Sequence, residues 1–142
     1  MPGTPPARRT VLRAAALAPA VGLGLTACSS GSGDGGSNRS APTAPVALGK
    51  SDDVKVGASK LYTDHNVVVS RISDDDYTAY STICTHARCP IKKLEGRKLI
   101  CQCHGSQFDA TNGKVLKEPA VNPLPELPVK VENGKIIAGP EA

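Results

Sequence analysis

Two stretches decide the reading of this chain: Cys84-Thr85-His86-Ala87-Arg88-Cys89 and Cys101-Gln102-Cys103-His104-Gly105-Ser106. Each offers one thiolate and one imidazole at ligand spacing, Cys84 and His86 two apart, Cys101 and His104 three apart. Each also carries one further cysteine. Two Cys and two His form a metal-ligand set, and soft thiolates combined with imidazoles suit zinc or iron–sulfur chemistry. Zinc requires no Gly-Ser after the second His, and the spacing lacks the helical His-x-x-x-His pattern of a finger.

The two boxes resemble the cluster-binding loops of Rieske proteins, in which two Cys hold one iron of a 2Fe–2S centre and two His hold the other. The cysteine in each box beyond the ligand pair resembles the disulfide-bearing branch, which includes the Rieske subunits of cytochrome bc complexes and the small subunit of arsenite oxidase. The resemblance implies Cys84, His86, Cys101 and His104 as ligands and Cys89–Cys103 as a bridge clamping the loops. It covers roughly residues 46 to 142. By the same resemblance the Ser106 hydroxyl donates to a bridging sulfide, Gly105 permits close backbone approach, and Pro119-Ala120 belongs to a proline-rich loop covering the cluster. Two departures stand out. Phe108 occupies the position where higher-potential members have a tyrosine, so one hydrogen bond is missing. The match also includes no membrane helix of the kind a respiratory Rieske subunit usually carries.

This ligand set has consequences for charge. Two ferric ions, two sulfides, two thiolates and two neutral imidazoles sum to a neutral oxidised centre, which accepts an electron more readily than a four-thiolate cluster. Rieske potentials accordingly run from about −150 to +300 mV, against about −400 mV for plant-type ferredoxins. An iron-bound imidazole presents its other N–H to solvent, and oxidation lowers the pKa of that group, coupling electron to proton transfer. Such coupling suits a quinol or hydroxylated donor.

The other polar clusters read more plainly. His65 beside Asn66 is a solvated turn residue, Asp74-Asp75-Asp76 is a solvated turn, and Lys92, Lys93, Arg97 and Lys98 form a solvated face or a docking patch near the cluster.

Residues 1–27 read as an export signal. Arg8-Arg9-Thr10-Val11-Leu12 resembles a twin-arginine motif, and the apolar run from Ala14 to Leu25 is about 12 residues, short of the roughly 20 that span a bilayer. Twin-arginine export carries folded proteins, so a cluster inserted in the cytoplasm crosses intact. Leu25-Thr26-Ala27-Cys28 resembles a lipobox; it accounts for Cys28, the odd one of five cysteines, as an acylated anchor on the outer face of the membrane. Residues 28–45 are then the lipidated Cys and a Gly/Ser/Pro tether with too few large apolar residues to fold. The formal charge of +4 includes Arg8, Arg9 and Arg13; without them 14 Lys and Arg face 13 Asp and Glu. That near-balance, with no basic stripe bearing aromatics, points away from a nucleic-acid partner.

From Val46 onward the signals are β: Val67-Val68-Val69 with Ile72, the alternating Tyr77–Thr82 leading into the first box, and Leu99-Ile100 leading into the second. Asn112-Gly113 and Asn133-Gly134 read as hairpin turns with positive φ at both residues. One Phe, three Tyr and no Trp limit the aromatic core, so a small domain of this kind needs staples, which a cluster and a disulfide supply. The expectation is an all-β, small antiparallel sandwich or barrel over residues 46–142, with the cluster loops at one tip. Its function is one-electron transfer in a membrane-tethered exported protein. A Rieske subunit of a cytochrome bc-type complex and a redox-sensing lipoprotein without turnover are the alternatives.

Overall fold

The computed structural model describes residues 39–142. The sequence features assigned to export and acylation, Arg8, Arg9 and Cys28, lie outside the described residues. Among the described residues, eleven strands form three antiparallel sheets. The first joins β1 (Val46–Lys50), β11 (Lys135–Ala138) and β10 (Val129–Glu132). The second runs β2 (Ser59–Tyr62), β3 (Val67–Arg71), β4 (Tyr77–Ser81) and β9 (Glu126–Leu127). The third is β5 (Lys93–Glu95), β6 (Lys98–Ile100), β7 (Gln107–Asp109) and β8 (Val115–Lys117). A single 3-10 turn at Ser51–Asp53 is the helical element among the described residues. The all-β, antiparallel expectation therefore holds.

The run Val67-Val68-Val69 is apolar without alternation because β3 is buried on both faces. Side chains alternate across a strand, and here both directions lead into a core. Val67 and Val69 join Val54, Ala79, Leu127, Ile136 and Ala138, which fill the base of the domain. Val68 points the other way, into a group containing Tyr80, Ile91, Leu99, Phe108 and the two buried cysteines Cys84 and Cys101. The metal-ligating candidates are thus rooted in the second core. The small third sheet brings that core's Leu99 opposite Phe108 in register.

The two Asn-Gly turns differ. Asn133 and Gly134 both have positive φ (51° and 72°) and close β10 onto β11 as a two-residue hairpin. At the other site only Gly113 is left-handed, with φ 69°. The connection from β7 to β8 is longer than a tight hairpin: Gly113 N–H donates to the Asp109 carbonyl, and the Asn112 side-chain oxygen accepts from Lys114 N–H. Asn112 therefore acts as an Asx turn residue rather than half of a two-residue turn. Gly113 is fixed by space as well as by φ, since a Cβ there would lie 2.7 Å from the Tyr80 ring. Its carbonyl accepts from Leu124 N–H at 2.8 Å, holding the end of the proline-rich segment.

Part of the segment expected to be tether lies against the domain. The Asn66 side-chain amide donates to the Ser40 carbonyl at 2.9 Å, and the backbone of Ala44 and Pro45 packs against Gly139. Asn66 is buried, has φ 53°, and accepts at its own carbonyl from Thr82 N–H at 2.8 Å. One residue thus joins the incoming chain to the strand end that delivers Cys84.

Candidate metal centre

The first cysteine box connects β4 to β5, and the second is the turn between β6 and β7. Both fold by the same backbone scheme. In the first, Cys84 N–H donates to the Cys89 carbonyl and Arg88 N–H donates back to the Cys84 carbonyl, both at 2.9 Å. In the second, Cys101 N–H donates to the Ser106 carbonyl at 2.8 Å and Gly105 N–H to the Cys101 carbonyl at 2.9 Å. Each turn places a buried cysteine at its root and a histidine at its exposed crest.

The expected ligand residues are brought together in two pairs, Cys84 with Cys101 and His86 with His104. Cys84 and Cys101 are each 1% exposed, and neither is in a disulfide. Burial, reinforced by the neighbouring Cys84 thiol, pushes the Cys101 thiol up from its ordinary value. Two adjacent thiolates in such surroundings would need a cation beside them, which a bound iron would supply. His86 and His104 are exposed, with ring centroids 4.8 Å apart and planes at 83°. Two sulfur donors inside and two imidazoles outside are the donor set that a 2Fe–2S centre of mixed ligation needs.

The remaining two cysteines of the boxes form the expected bridge. Cys89 and Cys103 are disulfide-bonded across the loops, with Cα atoms 6.5 Å apart. The Sγ atoms of Cys89, Cys101 and Cys103 lie within 4.8 Å of one another. Two of those three are consumed by the disulfide, so Cys101 alone of them retains a free thiol.

A third segment closes over the site. Residues 118–125 follow β8 and are tied to each loop separately. Thr85 Oγ1 donates to the Asn122 carbonyl at 2.6 Å, and Ala120 N–H donates to Ser106 Oγ at 3.0 Å. The Glu118–Pro119 peptide is cis. Ser106 and Ala120 are both buried, in keeping with the covering role the sequence suggested for Pro119-Ala120. Phe108 is fully buried in the same core group as Cys84 and Cys101.

The lesser sequence features fall as follows. His65 lies in the turn between β2 and β3, and Asp74–Asp76 form the exposed bend between β3 and β4. Of the basic residues near the third sheet, Lys93 pairs with Glu95 at 2.8 Å and Arg97 donates to Thr111 Oγ1. Neither the Thr85–Asn122 tie nor the Asn66 clamp was foreseen from sequence. Each joins residues far apart in the chain, and no local pattern signals them.

Comparison with known proteins agrees with this geometry. Residues 44–128 match the model of the Rieske [2Fe-2S] domain. The cytochrome bc1 complex Rieske iron-sulfur subunit of Corynebacterium diphtheriae is 42% identical over 85 residues, covering 54% of this chain and 21% of that subunit. The chain thus spans about a fifth of that relative's length. The cytochrome b6-f complex iron-sulfur subunit 1 of Trichormus variabilis is 34% identical over 143 aligned positions, covering 88% of this chain and 73% of the relative. Among solved structures, a cyanobacterial plasma membrane Rieske protein from Synechocystis superposes with a TM-score of 0.52 at 32% identity, covering 66% of this chain and 97% of that one. With two buried thiols, two crested imidazoles and a cross-loop disulfide in place, the chain belongs to the Rieske [2Fe-2S] domain family and binds a single 2Fe–2S cluster.

Proposed function

We propose that this chain is a one-electron carrier, exported and tethered to the outer face of the membrane, that holds its cluster through Cys84 and Cys101 on one side and His86 and His104 on the other. The observation that carries the reading is the disposition of these four side chains: two buried thiols left free beside a disulfide, and two exposed imidazoles in edge-to-face contact on the same two loops. The bound cluster supplies a one-electron couple. The buried cysteines exclude water from their side of the site. The exposed imidazoles give electrons a path to a partner. Ser106 and the Pro119-Ala120 segment hold the covered face shut.

Anaerobic purification with metal analysis and EPR tests the ligand assignment. Two irons and two sulfides per chain with a rhombic, low-average-g signal in the reduced state are expected; one zinc without iron overturns it. The tether reading rests on Arg8-Arg9 and on Leu25-Thr26-Ala27-Cys28. Intact mass should show removal of residues 1–27 and a diacylglyceryl group on Cys28, and Cys28→Ala should release the domain or trap the precursor. Unmodified Cys28 in the membrane fraction overturns that part alone.

A second reading, a subunit of a cytochrome bc-type quinol oxidoreductase, is favoured by the bc1 and b6-f relatives named above. Co-purification of b-type haem from mild detergent distinguishes it from a free-standing shuttle.

A further inference from the structure

The shared backbone scheme of the two loops puts Arg88 and Gly105 in equivalent places. Each stands four residues after a buried cysteine and donates its N–H to that cysteine's carbonyl at 2.9 Å. Each has a left-handed backbone, φ 55° at Arg88 and 82° at Gly105. Glycine adopts this conformation freely, whereas a side chain there costs free energy. An arginine in the conformation that glycine takes in the twin loop carries a cost that a use for its side chain would offset.

The surroundings indicate which use. Arg88 is exposed and forms no ion pair or side-chain hydrogen bond among the described residues. It stands two residues from the exposed His86. Together with Cys84, Thr85 and Asn122 it lines a cavity of about 410 Å³ between the first loop and the proline-rich segment, and it is the one permanently charged residue there. An unpaired guanidinium offers a planar fork of donors that fits a carboxylate bidentately.

We infer that Arg88 is the docking residue through which the redox partner's acidic surface is recognised, a partner carboxylate seating on the guanidinium so that the partner lies over His86. This rests on the electron-carrier reading and adds the charge of the partner's contact surface to it. Arg88 is exposed on the same loop as His86, the side from which an electron would leave.

The test uses the full-length, iron-loaded protein and two small oxidants of opposite charge, ferricyanide and tris(phenanthroline)cobalt(III), as probes of the local field. Iron content and the EPR signal are measured first, so that a failure of the cluster assignment is seen separately. Arg88→Gln is expected to lower the ratio of the ferricyanide rate to the cobalt rate about 2- to 5-fold at low ionic strength, with the difference collapsing at high salt. Taking the ratio removes any change in midpoint potential. Arg88→Lys should retain the parent ratio, and Arg88→Gly should lose it while melting no lower than the parent. An unchanged ratio in Arg88→Gln overturns the inference, as does unfolding of Arg88→Gly, which would make the side chain structural. Saturable inhibition by inorganic phosphate at sub-millimolar concentration would instead assign the cavity to a small oxyanion and overturn the docking role.

Discussion

Ser106 and Ala120 are joined by a buried hydrogen bond in which the serine is the acceptor: Ala120 N–H donates to Ser106 Oγ at 3.0 Å. With its oxygen engaged by the covering segment, the hydroxyl proton would be free to point at a bound cluster. The residue that latches the proline-rich segment would then also supply a donor to a centre that becomes negative on reduction. A hydrogen bond to a charged group contributes about 1.5–3 kcal/mol. For a one-electron couple this corresponds to about 65–130 mV. Ser106→Ala should lower the midpoint by an amount of that order in voltammetry at fixed pH, and amide exchange at Ala120 should quicken. A lowered midpoint with unchanged exchange would separate the two roles.

Phe108 would bear on the same couple through its place in the core. It is fully buried opposite Leu99 and in the core group that contains both free cysteines. Phe108→Tyr should raise the midpoint, because its hydroxyl adds a second donor near the thiolates. Phe108→Ala should instead unfold the tip, with a loss of about 3–5 kcal/mol for a deleted core aromatic. Voltammetry on the first and urea denaturation on the second check the pair. An unmoved midpoint in Phe108→Tyr, with the ring hydroxyl shown to reach a cluster sulfur, would remove the hydrogen-bond account.

The Cys89–Cys103 disulfide closes a loop with a sequence separation of 14 residues, and the chain-entropy model gives about 3 kcal/mol for a loop of this size. Cys89→Ser should lower the unfolding free energy by up to that amount and speed cluster loss at fixed temperature. The EPR signal of freshly loaded protein should persist, because the four proposed ligands remain. Immediate loss of the signal would place Cys89 or Cys103 in a ligand role.

Asp109 provides a pH-dependent part of the stability. Burial raises its pKa, but hydrogen bonds from Thr111 Oγ1 at 2.6 Å and Thr111 N–H at 2.8 Å, with the Arg97 charge, outweigh burial and hold it below the ordinary 3.8. The folded-state value is depressed, so the contribution is fully present above the unfolded pKa. It is lost as pH falls through the folded one. The difference in urea stability between the parent and Asp109→Asn should therefore be constant at neutral pH and shrink below about 3.8. A difference that grew on acidification would reverse the sign.

The paired cysteine–histidine boxes, the bridge and the β class were legible because each is written locally, as Cys and His at fixed spacing and as β-branched runs bounded by turns. The unbroken Val67-Val68-Val69 run identified a strand but not that it divides two cores. That depends on which sheets pack on each face. Asn112-Gly113 was legible as a turn and illegible as a type, because the Tyr80 ring and the Asp109 carbonyl, both brought in by tertiary structure, decide it. Nothing local marked Ser40 as part of the domain. Its place depends on Asn66, which is 26 residues away in sequence.

The site of that attachment sets a lever arm. Ser40 is held by Asn66, whose carbonyl also holds Thr82, two residues short of Cys84, and Ala41 shares a cavity wall with Cys84. A pivot at Ser40 therefore stands beside the redox loops, while the Asn133-Gly134 turn lies beyond the far end of β1, about 13 Å further along that strand. On the tether reading proposed above, turning the domain about Ser40 would move the Asn133-Gly134 turn more than it moves the cysteine boxes.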